Sequence, residues 1–119
     1  MNRLVFAAAL LGFLGVALGA FGAHALEAQL TEEAHGWWDT ATLYVLPHAA
    51  AALAAGLSGR GGRTALGGWL FVTGAVIFAG SLYAMALGSP RWFGAITPLG
   101  GLSLLAGWLT LVLSALRKD

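Results

Sequence analysis

The sequence predicts an all-α fold, a four-helix transmembrane bundle with both termini cytoplasmic. Three observations lead there. Of the 119 residues, 59% are hydrophobic and only 9% are charged, where a soluble domain carries about 25%. The few charges leave four uncharged windows, residues 4–26, 40–59, 64–90 and 92–116. The Lys and Arg residues between the windows fall unevenly on the two sides of a membrane. Each window supplies the roughly 20 helical residues that cross a hydrocarbon core of about 30 Å. A barrel would need polarity alternating along strands of about ten residues, and these runs do not alternate. Lipid offers the backbone no third solution.

Composition closes other routes. Ala, Gly and Leu make up over half the chain, so a charged, water-soluble coat cannot be built. Disorder needs low hydrophobicity and high charge. A net charge of +1 gives no footprint for nucleic acid. Without cysteine there is no disulfide, thiolate metal site or Cys nucleophile. Residues 1–119 read as a single integral membrane domain.

The first helix is predicted over about residues 4–26. Its basic start and the Ala23-His24-Ala25 stretch are signal-like. Its apolar run is too long for the usual 7–15 residues of a signal core, roughly, so it reads as a span. The loop that follows, residues 27–39, holds Glu27, Glu32, Glu33 and Asp39. Residues 31–38 within it read as a brief interfacial helix, with Leu30, Ala34 and Trp37 as its apolar side. The second helix is predicted over 40–58. Pro47 removes the N–H that would bond the Leu43 carbonyl, which predicts a kink. Residues 58–63 form a turn. The third helix, 65–88, is stopped by Ser89-Pro90. Thr97-Pro98 reads as N-cap and first helical position, so the fourth helix spans 98–116.

Orientation follows from the basic residues. Arg3, Arg60, Arg63, Arg117 and Lys118 share one side, and Arg91 lies on the other. This predicts a multi-pass cell-membrane protein with the acidic loop outside. Trp37, Trp38 and Trp92 fall at the outer boundary and Trp69 near the inner one, where indoles favour the interface.

Small residues recur along the helices. Gly15 and Gly19, Gly67 and Gly74, and Gly100 and Gly107 form stripes that let helix backbones approach closely. Internal packing is the favoured reading, and a homo-oligomeric seam is the alternative.

Polar groups inside a membrane are costly and each asks for a reason. His24, Tyr44, His48, Ser81, Tyr83 and Thr97 nearly all fall in the outer half, which predicts a polar pocket below the acidic loop. Thr40, Tyr44 and His48 share one helix face. His24 and His48 differ in depth by about 10 Å at helical rise, which argues against a shared metal or haem. Each neutral His is instead expected to satisfy a neighbour, His24 with Glu27 and His48 with Tyr44 or Tyr83. His35, Glu32 and Glu33 read as solvated. No nucleophile, phosphate-loop or zinc-protease motif occurs, and no cofactor is implied.

Several motifs carry a family resemblance. They are Gly19-Ala-Phe-Gly-Ala-His24, Trp38-Asp-Thr-Ala41 with Tyr44 and His48-Ala, Gly80-Ser-Leu-Tyr83, Thr97-Pro-Leu-Gly-Gly101 and Gly107-Trp108. Together they resemble the small bacterial membrane proteins of domain-of-unknown-function family 423, which are similar to the eukaryotic transmembrane protein 256. Pro47 departs from the residue expected there. The resemblance implies four membrane helices and supplies no reaction.

Three functions follow as expectations. The first is a non-enzymatic structural or accessory subunit, self-associating or attached to a larger membrane complex. The second is a binding or transport module for a small molecule, lipid or proton. The third is a membrane enzyme using a Tyr–His acid/base pair.

Overall fold

The computed structural model describes residues 1–117. Lys118, counted above among the basic residues of one side, lies outside the described residues. Four helices follow one another: α1 (Arg3–His24), α2 (Glu32–Leu57), α3 (Gly62–Ala86) and α4 (Thr97–Leu116). Each is long and apolar enough to cross a membrane, the fourth taken together with the turn before it as Arg91–Leu116. A short 3-10 turn, Arg91–Ala95, precedes α4. No strand occurs among the described residues.

The helix ends explain themselves locally. Asn2 caps α1 by accepting the Val5 N–H at 3.0 Å, and its amide donates to the Gly56 carbonyl at 3.0 Å. One side chain thus starts α1 and ties it to the end of α2. Thr31 caps α2, its hydroxyl accepting the Ala34 N–H at 3.1 Å. Glu32 and Glu33 follow in the first turn, where carboxylates suit the helix dipole.

This cap corrects the expected start of the second helix at residue 40. The segment expected to be a separate interfacial helix, residues 31–38, is the first part of α2 itself. Nothing between Trp38 and Thr40 breaks a helix, so the two merge once Thr31 has nucleated the turn. At the other end of α2, Gly59 and Gly61 take φ of +66° and +69°, which lets the chain reverse within a few residues.

Thr97 also differs from expectation. It opens α4 without capping it by a side-chain bond. Its hydroxyl meets Ser81 on α3 instead, and also reaches the Phe93 carbonyl of the 3-10 turn.

Helix α3 is the centre of the assembly. It packs along α2 on one side and α4 on the other, while α1 packs chiefly on α2. The core is built from small residues around one large ring. Phe71, Ala41, Ala52 and Ala75 are all fully buried. The outward ridges, such as Phe13 and Val16 on α1 and Leu105 and Leu109 on α4, are exposed and face the bilayer.

The striped glycines sit where helices meet. A Cβ on Gly15 would stand 2.9 Å from Leu46, and one on Gly19 would stand 2.9 Å from Thr42. Added to Gly67 it would meet Leu111 at 2.9 Å, and to Gly107 it would meet Phe71 at 2.7 Å. Two hydroxyl pairs close the ends of the α3–α4 seam, Ser81–Thr97 at 2.5 Å and Thr64–Ser114 at 2.9 Å.

Candidate binding groove between α2 and α4

Because α2 and α4 flank α3 and meet each other chiefly through His48 and Trp108, a groove runs between them over α3. Its walls hold the mid-membrane aromatic residues. His48 is buried in the floor beside Phe71, with ring centroids 5.5 Å apart. Phe71 in turn packs on Trp108 at 4.6 Å, and Phe78 packs on Tyr44 at 4.6 Å.

Hydrogen bonds define the state of His48. Its Nδ1 lies 2.6 Å from the Tyr44 main-chain carbonyl, one turn back on α2. A carbonyl only accepts, so Nδ1 carries the proton. Trp108 donates its indole N–H to Nε2 at 2.9 Å, so Nε2 is the unprotonated nitrogen. The ring is neutral, with both nitrogens engaged. A residue that is costly in lipid is satisfied by one backbone group and one indole.

Tyr44 stacks parallel to His48, at an interplanar angle of 3° and 6.3 Å between centroids. The bond between the two residues therefore uses the Tyr44 backbone and leaves its phenol uncommitted. No described residue hydrogen-bonds that hydroxyl, and the side chain is 41% exposed. Around it opens a cavity of about 630 Å³, lined by Tyr44, His48, Phe78, Gly101, Leu105 and Trp108 among others. The cavity is almost entirely apolar apart from the phenol.

The remaining polar residues fall into separate groups. Tyr83 hydrogen-bonds Thr42 at 2.6 Å and meets Trp38 edge-on at 4.5 Å. It does not bond His48. Ser81 and Thr97 form their own pair, and the proton chain ends on a main-chain carbonyl of Phe78 or Phe93. His24 is exposed at the end of α1 and has no hydrogen bond to Glu27. The Glu27 carbonyl instead takes a bond from His35 at 2.7 Å, so His35 fastens the α1–α2 connection rather than being merely solvated. Tyr44 and His48 therefore share one groove, and His24, Ser81, Tyr83 and Thr97 lie outside its lining. No cluster of three or more His, Asp or Glu residues suited to a metal occurs among the described residues.

Trp108 was not singled out as a site residue from the sequence. The available signal was an indole in the middle of an otherwise aliphatic helix, whose N–H must find an acceptor when buried.

Four apolar helices, buried side-chain polar groups that all find partners among the described residues, and an aromatic groove open to the surface define an integral membrane protein. Comparison with known proteins agrees. The model of the family described as "Protein of unknown function (DUF423)" matches residues 18–101, and the chain belongs to that family. It is 40% identical to a UPF0382 membrane protein of Staphylococcus epidermidis over 98% of both chains. A UPF0382 membrane protein of Bacillus subtilis is 38% identical over 98% of both. A UPF0382 inner membrane protein of Escherichia coli is 39% identical over 96% of this chain and 88% of its own. No solved structure matches.

Proposed function

We propose that this chain is a non-enzymatic binding module. Its ligand is a bilayer-dissolved molecule with an apolar body and a carbonyl that accepts a hydrogen bond. The observation that carries this reading is the Tyr44 hydroxyl, unpartnered at the edge of an apolar, aromatic-walled cavity. In lipid a phenol without a partner loses a hydrogen bond that water would otherwise supply. A carbonyl on the ligand restores it, while the rings supply flat apolar contact. Catalysis by a Tyr–His pair is disfavoured, because both His48 nitrogens are already engaged and leave no free base. The excess of Arg and Lys on the α2–α3 turn and at the termini supports cytoplasmic termini on this reading.

An accessory-subunit role is the second reading. It is favoured by the small residues along the same groove, Ala51, Ala54, Gly101 and Ala115, since such residues admit a second helix closely. A partner helix, from another copy or another membrane protein, would then occupy the groove.

One variant tests both. A side chain at Gly101 has room, its Cβ meeting only Phe78 at 3.9 Å, so Gly101→Leu fills the groove without disturbing the seams. Native mass spectrometry from nanodiscs should show a small-molecule adduct on the wild type, lost in Gly101→Leu and weakened in Tyr44→Phe. An adduct unchanged in Gly101→Leu would sink the binding reading. A protein partner released by Gly101→Leu would favour the second.

A further inference from the structure

The groove between α2 and α4 continues beyond Trp108 toward the α2–α3 turn as a second cavity of about 470 Å³. Trp108 lines both cavities and its bond to His48 divides them. The walls of this second cavity are largely small and apolar, with Ala51, Ala54, Leu111 and Ala115 among them. Its mouth is different. Arg60 lines it, projecting from the turn between the two left-handed glycines, Gly59 and Gly61.

Among the described residues the charge of Arg60 has no acidic partner. Glu27, Glu32, Glu33 and Asp39 all lie at the opposite end of the helices. Among the described residues the one ion pair is Arg91–Glu33, also at that far end. The neighbouring Ser58 is already used, its hydroxyl donating to the Ala55 carbonyl at 2.6 Å and accepting the Arg60 N–H at 3.2 Å. That second bond holds the Arg60 backbone over the end of α2. A largely apolar trough between the helices, with Ser58, Thr64 and Ser114 also on its walls, therefore ends at a cation beyond the last residue of α2.

We infer that this cavity holds an anionic phospholipid, one acyl chain lying along Ala51, Ala54 and Leu111 and the phosphate at Arg60. A guanidinium presents paired N–H donors that match phosphate oxygens. Basic pockets between membrane helices are suited to acidic headgroups for this reason. The trough removes the chain from competition with bulk lipid, and the cation selects the headgroup. The site is separate from the Tyr44 cavity and does not depend on the function proposed for it.

The test uses the full chain in nanodiscs of phosphatidylglycerol and of phosphatidylcholine, with bound lipid counted by native mass spectrometry. The wild type should retain phosphatidylglycerol in preference to phosphatidylcholine. Arg60→Gln should lower that retention roughly fivefold, the equivalent of about 1 kcal/mol for one basic residue at a membrane surface. Arg63→Gln, one turn away on α3 and outside the cavity lining, should leave retention unchanged. Ala54→Phe keeps every charge and fills the trough, and it should lower retention as Arg60→Gln does. Equal losses from Arg60→Gln and Arg63→Gln, or no loss from Ala54→Phe, would overturn the site in favour of diffuse surface charge. Displacement of the lipid by inorganic phosphate alone would overturn the acyl chain's part in binding. Gly101→Leu should not affect this adduct, which keeps the result distinct from that of the Tyr44 cavity.

Discussion

Gly74 of α3 and Gly100 of α4 lie so close that a Cβ on either would stand 2.8 Å from the other's carbonyl oxygen. Seven residues along each helix, Gly67 and Gly107 meet almost as closely, at 3.2 and 3.1 Å by the same measure. The seam is antiparallel, and two glycine crossings sit between its two hydroxyl pairs. A methyl group at Gly100 would collide with backbone, which cannot swing aside as a flexible side chain can. Gly100→Ala is therefore expected to destabilise the protein by about 1–3 kcal/mol. Gly80→Ala is the control, because nothing lies within 4 Å of its added Cβ. It should be neutral or stabilise by about 0.5–1 kcal/mol through helix propensity. Unfolding in mixed detergent measures both.

The α1–α2 contact turns on a different device. Trp38 donates its indole N–H to the Leu18 carbonyl at 2.8 Å, and its ring fills the space where Gly22 has no side chain. Gly22→Ala should therefore cost more than Gly12→Ala, whose Cβ would meet Ala49 at an ordinary 3.8 Å. Trp38→Leu should relieve part of the Gly22→Ala penalty, giving a clearly non-additive double mutant. Strict additivity would mean that the ring does not occupy that notch.

His48 and Trp108 should be energetically coupled. Trp108→Phe leaves Nε2 of His48 without its donor, and His48→Leu leaves the indole N–H without its acceptor. Each single change should destabilise, and the double change should cost less than their sum by about 0.5–1.5 kcal/mol. A double-mutant cycle by thermal unfolding in one detergent reads this directly.

Sidedness is accessible because the chain has no cysteine. A Cβ at Gly36 meets nothing within 4 Å, so Gly36→Cys is a benign reporter for the acidic end. Arg60→Cys would perturb the basic turn, so Ser89→Cys and Arg117→Cys are better companions. The basic-residue bias predicts that an impermeant thiol reagent labels Gly36→Cys and Ser89→Cys from outside intact cells. Arg117→Cys should react only after the membrane is opened. The reverse pattern would invert the topology.

The four spans were legible because lipid imposes one rule on every residue, and eleven charges in 119 residues mark where it stops. The seven-residue spacing of Gly67 and Gly74 and of Gly100 and Gly107 was legible, but which glycine meets which across the α3–α4 seam was not. The continuity of α2 was not legible either, because the acidic residues among 27–39 mark off 31–38 as a separate interfacial helix, whereas Glu32, Glu33 and Asp39 lie within α2 behind the Thr31 cap. The polar residues show the sharper limit. Composition and depth place Tyr44, Tyr83 and His48 at similar levels, yet helix rotation sends Tyr83 toward Thr42 and His48 toward Trp108. Rotation about the helix axis depends on which neighbour each face meets, and local patterning in uniformly apolar helices carries little of that information.

The central place of α3 bears on how the protein is made. During synthesis α1 and α2 enter the bilayer first, when the helix that most of the fold leans on does not yet exist. Until α3 emerges, the early hairpin has only its own contacts to hold it: the close packing at Gly15 and Gly19, the Asn2–Gly56 tie on one side of it and the Trp38–Leu18 bond over Gly22 on the other. Along α1 those two clasps are set at Asn2 and at Leu18, more than half the helix apart. They act as temporary pins for an intermediate as much as fastenings for the finished molecule.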